Sequence, residues 1–231
     1  MTARIHGFVW FTAFCVLGTA QASLQLAERG RPTAEIIVDA DAHPAVRFAA
    51  EELQVWVREI SGATVPILHA AGPAAQRMTL GVAGDSEALG TVLDRFPEDV
   101  AKLQGNDGYA VRTVGKEVYL FARVPKGVLN GVYRMLFKNT DIIWARPNPE
   151  FGTIYSRNAD LAFAHTDTLD FPVYVLRGWQ MIGPGRQEAS ELWQVRNGTN
   201  WSARMTGNPN YLKHGIVMEY GGGHNLTGLY I

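Results

Sequence analysis

The stretch Glu35–Gly62, EIIVDADAHPAVRFAAEELQVWVREISG, decides the fold of the first part of this chain. Glu35–Asp39 is rich in β-branched residues, which is typical of a short buried strand. Asp41–Pro44 then marks a helix start, because proline is well suited to the first turn of a helix. The apolar residues that follow recur at helical spacing until Ser61–Gly62 ends the pattern: Phe48, Ala49, Leu53, Trp56 and Ile60. A strand followed by an amphipathic helix predicts an α/β unit.

Several short strands are predicted after this helix. Val65–Leu68 and Met78–Val82 are apolar runs of strand length, and Pro66 favours an edge position for the first of them. Gly108–Thr113 and Glu117–Ala122 flank a turn that contains a glycine, which indicates a β-hairpin. Two of these strands are therefore predicted to pair as a hairpin, and the other two are predicted as separate strands.

A second long helix is predicted over Pro125–Lys138, whose apolar side chains share one face. A shorter helix is predicted to begin within Gly84–Leu89, where Asp or Ser can cap it. Ile142–Trp144 completes the unit. Helices that alternate with a mixed set of short strands predict the fold class α/β, as a small two-layer mixed-sheet domain over residues 30–146.

The composition changes after this domain. Residues 147–170 are predicted to be a linker, because Arg146–Gly152 combines Pro, Asn and Gly. A new β-α-β pattern then begins, with its elements at Val173–Leu176, Gln187–Arg196 and Ile216–Met218. A β-α-β unit that follows a complete domain is typical of the opening of a barrel or a doubly wound sheet. We therefore expect residues 171–231 to be the start of a truncated (β/α)8 barrel.

Composition and charge exclude some classes of partner. The 231 residues are 47% hydrophobic and 19% charged, which fits a globular protein with a substantial core. The formal net charge is -1 and no run of Lys or Arg stands out. Binding to nucleic acid or to an anionic membrane through bulk charge is not expected. The oligomeric state is left open.

Residues 1–22 have the pattern of a secretory signal peptide. Arg4 precedes an apolar run over Gly7–Leu17, and an Ala-x-Ala ending at Ala22 marks the cleavage position. The apolar run is too short for a membrane span. The alternative is a buried first helix. Cleavage would remove the single cysteine, Cys15, so we expect a secreted or periplasmic protein without disulfides or cysteine ligands.

Several ordered segments resemble the accessory domain that precedes the catalytic barrel in bacterial α-glucuronidases and β-hexosaminidases. The matching segments are Ala45–Leu53, Ile60–Ala63, Leu80–Val82, Asp107–Tyr109, Gly127–Tyr133 and Trp144–Pro147. Phe171–Trp179 is similar to the entry into the first barrel strand of these enzymes. Trp193, Arg196–Asn197 and Gly222–Asn225 are closer to large secreted proteins with a glucuronidase-like barrel. The resemblance implies a glycoside hydrolase-type protein that acts on polysaccharides containing uronic acids or amino sugars.

Four residues are the candidate substrate-binding residues. Arg177 lies at the expected end of the first barrel strand, and the resemblance to hexosaminidases implies that it hydrogen-bonds sugar hydroxyls. Its alternative role is a salt bridge that joins the barrel to the first domain. Trp179 could stack on a sugar ring or fill the core. His224 and Asn225 follow three glycines after the second strand, where they could bind a polyol or form a polar loop tip.

No catalytic residue, metal ligand or cofactor is assigned. Glycoside hydrolysis uses two carboxyl groups on either side of the bond. Glu219, near the end of the second strand of the predicted barrel, is the only carboxylate plausibly placed for this chemistry, whereas Glu188 and Glu191 look like exposed helix positions. The resemblance places the catalytic acids beyond Ile231, so we expect this chain to have little hydrolytic activity. His214 and His224 have no carboxylate at ligand spacing in the sequence.

Two other interpretations stay open. The chain could be a non-catalytic carbohydrate-binding or scaffolding module. It could also be the product of a truncated gene that does not fold stably, because an unclosed barrel exposes strand edges.

Overall fold

The computed structural model describes residues 23–178, 187–202, 209–216 and 218–219. The helices are α1 (Pro44–Ser61), α2 (Pro97–Lys102), α3 (Pro125–Asn139) and α4 (Gln187–Arg196), with a 3₁₀ helix at Gly90–Arg95. The first strands are β1 (Leu24–Gln25), β2 (Ala27–Glu28), β3 (Arg31–Pro32), β4 (Ala34–Ile37), β5 (Ile67–Leu68), β6 (Gln76–Val82), β7 (Tyr109–Val114) and β8 (Glu117–Ala122). The later strands are β9 (Ile143–Trp144), β10 (Thr153–Ile154), β11 (Ala162–Phe163), β12 (Thr168–Asp170), β13 (Trp201–Ser202) and β14 (Met218–Glu219).

A six-stranded mixed sheet organises the first part of the chain. Its strand order is β12-β7-β8-β6-β4-β5. The hairpin β7–β8 is antiparallel, as the sequence predicted, whereas β8, β6, β4 and β5 run parallel to one another. Strand β5 lies at one edge, which agrees with the position predicted from Pro66. The α/β class with a mixed sheet is therefore confirmed.

Helix α1 begins and ends where the sequence predicted. Pro44 occupies the first turn, and the Nδ1 of His43 accepts a hydrogen bond from the backbone N–H of Ala45 at 3.1 Å. Gly62 follows the last turn with φ 83°, a left-handed conformation that glycine adopts without steric cost. Its backbone N–H donates to the carbonyl of Arg58. Local capping and chain-turning residues thus set both ends of α1.

Helices α1 and α3 pack together on one face of the sheet. Their buried side chains form one core with alternate residues of β4, β6, β7 and β8. The approach of α3 to the sheet depends on Gly127, since a Cβ at this position would meet the carbonyl oxygen of Gly108 and the Cβ of Ala122. The two long helices predicted from apolar spacing therefore cover the same side of the sheet.

The opposite face of the sheet is also partly covered. Ala110 and Phe121 point away from α1 and α3 and pack with Leu89, Val92 and Leu103, from the region of the 3₁₀ helix and α2. The expected two-layer arrangement is therefore a three-layer one over β7 and β8. The physical reason is that these strands carry apolar residues on both faces, and each face needs cover.

The region expected to be a linker carries three short strands. Strand β11 pairs with β1, and β12 extends the main sheet by pairing with β7. Strand β10 pairs with β9. Residues 147–170 contain turn-forming residues, but backbone pairing fixes three parts of this stretch to the first domain.

The later part of the chain differs in detail from the predicted β-α-β pattern. Helix α4 forms as expected, but residues 173–176 form no strand. The carbonyl oxygens of Tyr174 and Val175 accept hydrogen bonds from the side chains of Arg177 and Asn200, not from a neighbouring strand. A strand that the sequence analysis missed, β13, pairs in parallel with β14. It is only two residues long, and the polar stretch before it gives no strand pattern.

Candidate functional site

A cavity of about 510 Å³ lies between the first domain and the later part of the chain. Its walls are helix α3, the loop before β7, residues 170–178 and the region around the end of α4. Arg177 lines it together with Asp107 and Asn130, and three exposed aromatic side chains lie at its rim: Phe137, Phe171 and Tyr174.

The side chain of Arg177 is held at all three guanidinium nitrogens. Nη2 donates to Oδ2 of Asp107 at 2.5 Å, Nη1 to the carbonyl of Tyr174 at 2.9 Å and Nε to the carbonyl of Gly198 at 3.2 Å. The backbone N–H of Arg177 donates to Oδ1 of Asn200 at 2.9 Å. The ion pair with Asp107 is a salt bridge to the first domain, which was the alternative role predicted for Arg177. A guanidinium has five N–H donors, so two remain for a ligand. A sugar contact by Arg177 stays a prediction.

Asp107 is the counterpart of Arg177 in the first domain. Its side chain is nearly buried, and Nδ2 of Asn130 donates both to its carbonyl oxygen at 3.0 Å and to its Oδ2 at 3.2 Å. Oδ1 of Asn130 is buried and has no hydrogen-bond partner among the described residues. The loop before β7 and helix α3 are thus fixed to each other directly beneath Arg177.

A second buried carboxylate, Glu52, holds α4 against the first domain. Arg196 of α4 donates to both of its oxygens, from Nε at 2.9 Å and from Nη2 at 3.0 Å. The hydroxyl of Tyr133 donates to the same carboxylate at 3.1 Å. The guanidinium of Arg196 also lies 5.0 Å from the ring centre of Trp56. Glu52 therefore connects α1, α3 and α4.

The pKa values of Arg196 and Tyr133 are both raised in this cluster. Burial disfavours the charge on Arg196, but the carboxylate of Glu52 holds the pKa of Arg196 above its ordinary value. Burial and the same carboxylate raise the pKa of Tyr133 well above 10. Arg196 therefore keeps its positive charge and the Tyr133 hydroxyl stays neutral at physiological pH.

Residues 209–216 cover a buried lysine at the start of α3. Lys126 is 0% exposed, and its Nζ donates to the carbonyl of His214 at 3.3 Å. Burial lowers the pKa of Lys126 to about 7. The carboxylates of Asp107 and Glu191 act to raise this pKa, and the positive charge of Arg177 acts to lower it further. Lys126 therefore lies at the start of α3, beneath residues 209–216, with the charged groups of Asp107, Arg177 and Glu191 around it.

The structure brings Glu191 to His214, a contact that the sequence spacing did not predict. Oε1 of Glu191 lies 2.6 Å from Nδ1 of His214, and only 4% of the His214 side chain is exposed. The expectation that Glu191 is an exposed helix position is therefore wrong, because it faces the segment 209–216. Glu188 is exposed, as predicted.

Of the four predicted substrate-binding residues, only Arg177 can be placed. Trp179, His224 and Asn225 lie outside the described residues, as does the side chain of Glu219. Their proposed roles stay predictions. Among the described residues, no group of three or more His, Cys, Asp or Glu side chains could hold a metal ion. The described helices include none that is long and apolar enough to cross a membrane.

Sequence reasoning missed most of the residues that build the site. Glu52 did carry a signal, because it lies between Phe48 and Trp56 on the apolar stripe of α1, where a carboxylate needs a buried partner. Asp107 appeared only as part of the segment Asp107–Tyr109 that resembles the accessory domain, and Lys126 carried no signal. The burial of both side chains depends on segments far away in the sequence.

No protein-family profile and no curated protein matches this chain. Among solved structures, it is similar to a family GH115 4-O-methyl-α-glucuronidase with specificity for decorated arabinogalactans, with 19% identity over 61% of this chain and 18% of that one and a TM-score of 0.40. It is also similar to a family GH20 β-N-acetylhexosaminidase from Streptomyces coelicolor, with 21% identity over 68% of this chain and 25% of that one and a TM-score of 0.41. A third is a family GH138 enzyme targeting pectin rhamnogalacturonan II, with 16% identity over 53% and 15% and a TM-score of 0.36. The chain thus spans a quarter or less of the length of these glycoside hydrolases.

The first prediction concerns the Glu52–Arg196 pair. Arg196→Met should lower the free energy of unfolding by about 3 kcal/mol, because it leaves the Glu52 carboxylate buried without its charged partner. Urea unfolding followed by tryptophan fluorescence measures this loss. Arg58→Met is the matched control, since Arg58 forms an exposed pair with Glu59 at 3.5 Å and should cost less than about 1 kcal/mol. Equal losses in the two variants would contradict a buried role for Arg196.

The second prediction concerns the pH dependence that Lys126 confers. Its pKa is about 7 in the folded protein and 10.5 ordinarily, so the unfolded chain binds the extra proton between these values. Stability due to Lys126 therefore rises with pH in that window, by at most about 1.4 kcal/mol per pH unit. Lys126→Met should be more stable than the parent below about pH 7 and lose this advantage toward about pH 10.

Urea unfolding across this pH range tests the linkage. The control is Lys138→Met, an exposed position on the same helix, whose stability relative to the parent should not vary with pH. A constant difference for Lys126→Met as well would show that Lys126 is protonated in the folded protein throughout.

Proposed function

We propose that this chain is part of an exported carbohydrate-active protein of the glycoside hydrolase type. In this proposal, residues 30–146 are an accessory domain, residues 147–170 connect it to the later part of the chain, and residues 171–231 are the start of a (β/α)8 barrel. The substrate class is a polysaccharide that contains uronic acids or amino sugars. The ordered sequence segments that resemble α-glucuronidases and β-hexosaminidases motivate this assignment.

The parallel arrangement of the later segments supports the barrel. The backbone N–H of Asn200 donates to the carbonyl of Arg177 at 3.1 Å, directly before β13. Strand β13 in turn pairs in parallel with β14. Helix α4 lies in sequence between Arg177 and β13, the place that the helix has in a β-α-β unit. Successive parallel segments joined by a helix are the repeating unit of a (β/α)8 barrel.

The position of Arg177 is the single observation that carries the carbohydrate assignment. Its guanidinium is fixed in the wall of the cavity, with two N–H groups unused by described residues. A rigid planar donor suits vicinal hydroxyls or a carboxylate, because it offers two N–H groups at a fixed angle. Because this side chain is already ordered, ligand binding loses little side-chain entropy.

The ion pair between Arg177 and Asp107 also favours a second candidate function, a non-catalytic carbohydrate-binding module. In that case the arginine would join the two parts of the chain and present a sugar site without hydrolysis. We assign no catalytic carboxylate in either case. The module and the enzyme are distinguished by whether the whole protein cleaves the sugar that it binds.

We also propose that residues 1–22 are removed on export. N-terminal sequencing of the protein secreted by a bacterial host should give Ser23 as the first residue, because cleavage follows Ala22. A product that retains Met1 would contradict the signal peptide and favour the alternative of a buried first helix.

The carbohydrate assignment is tested with Arg177→Lys. Lysine keeps a positive charge for Asp107 but lacks the planar fork, so the affinity for xylan-derived oligosaccharides should fall about tenfold. Isothermal titration calorimetry on the purified chain measures the affinity, and thermal unfolding shows whether the fold is retained. Arg157→Met, an exposed position away from the cavity, is the control and should bind like the parent.

Two outcomes would overturn parts of this proposal. No binding of any oligosaccharide by the folded parent chain would contradict the carbohydrate assignment. Cleavage of an aryl glycoside by this chain at a faster rate than by its Glu219→Gln variant would contradict the expectation of little hydrolytic activity.

A further inference from the structure

We infer that the cavity beside Arg177 binds a neutral pyranose unit through the rim formed by Phe137, Phe171 and Tyr174 together with Asp170 and Arg134. This inference rests on the proposed carbohydrate function and adds the site and the charge of the sugar. Three properties of the cavity carry it: its aromatic rim, its polar groups and its charge balance.

Three exposed aromatic side chains form the rim. Phe137 is 49% exposed, Phe171 48% and Tyr174 74%, and all three line the cavity. Exposed apolar surface that is gathered at one concave place and bordered by polar groups is typical of a ligand-binding groove. The C–H face of a pyranose ring is flat and apolar, so it can cover these rings while its hydroxyls face the polar residues.

Polar groups stand next to this rim. Oδ2 of Asp170 accepts a hydrogen bond from the hydroxyl of Tyr109 at 3.3 Å, which leaves acceptor capacity on the carboxylate. Arg134 forms no ion pair in the part of the chain that the structure describes, and its guanidinium lies 5.8 Å from the ring centre of Phe137. A carboxylate that accepts and a guanidinium that donates can bind hydroxyls, which do both.

The charge balance of the lining favours a neutral ligand. Asp107 is paired with Arg177, and Arg196 is paired with Glu52. Of the charged residues that line the cavity, only Asp170 and Arg134 remain, and their charges cancel. A uronate would bring a second negative charge toward Asp170, whereas a neutral sugar brings none.

The size of the cavity agrees with this ligand class. About 510 Å³ lies within the usual range of small-molecule sites, roughly 300–1,000 Å³, and leaves room for one or two sugar rings. A polysaccharide that carries uronic acids also contains neutral units. The cavity is therefore suited to a neutral unit of the same polymer.

The experiment uses the purified full chain with methyl glucopyranoside as the neutral probe and methyl glucuronide as the anionic one, titrated by ligand-observed NMR. Tyr174→Ala and Arg134→Met should each weaken binding of the neutral glycoside at least about fivefold, because each removes a rim contact. Both positions are exposed, so the fold should be retained, and thermal unfolding checks this. The matched controls are Phe151→Ala and Arg157→Met, exposed residues outside the cavity, which should bind within about twofold of the parent.

The outcomes separate this inference from the proposed function. If Tyr174→Ala and Arg134→Met bind the neutral glycoside as their controls do, while Arg177→Lys binds it more weakly, the carbohydrate function stands and the rim assignment is wrong. Tighter binding of the glucuronide than of the glucopyranoside would overturn the neutral class. If the folded parent binds neither these glycosides nor the oligosaccharides, both proposals fail.

Discussion

The buried carboxylate of Glu52 is the constraint on which the rest of the structure depends. It accepts two hydrogen bonds from Arg196, one from Tyr133 and a longer one, 3.4 Å, from the indole N–H of Trp56, so the main hydrogen-bonding directions of its oxygens are used. Desolvation makes such a pair costly to form and far more costly to leave half-formed. Helices α1, α3 and α4 can therefore pack in few ways other than the one that completes these contacts.

The position of the cavity follows from this constraint. With Arg196 fixed, the turn after α4 brings the carbonyl of Gly198 and the side chain of Asn200 to Arg177. Arg177 then reaches Asp107, which α3 holds through Asn130. The cavity is thus bordered by side chains that are already held in place by hydrogen bonds to other parts of the chain. A site of this kind changes little when a ligand enters, so little binding free energy is lost to ordering.

Local sequence signals predicted the first domain well, but they did not predict its contacts with the later part of the chain. Helix α1 could be predicted because Pro44, Gly62 and an apolar stripe lie within one short stretch, and the same holds for the hairpin β7–β8. The contacts that build the site join residues that are distant in sequence: Arg177 and Asp107 are 70 positions apart, and Arg196 and Glu52 are 144. No periodicity records such pairs. Arg177 was found through resemblance to a strand-end arginine, and its partner was not.

The short strands at both ends of the main sheet limit how this protein can associate. Strand β5 has two residues next to Pro66, and β12 has three, so neither end offers a long row of free N–H and C=O groups. Long flat sheet borders template the pairing of one molecule with another and lead to fibrous aggregates. Without β12, the six residues of β7 would form such a border. Strand β12 pairs with Tyr109–Val111, so it covers half of this border as well as extending the sheet.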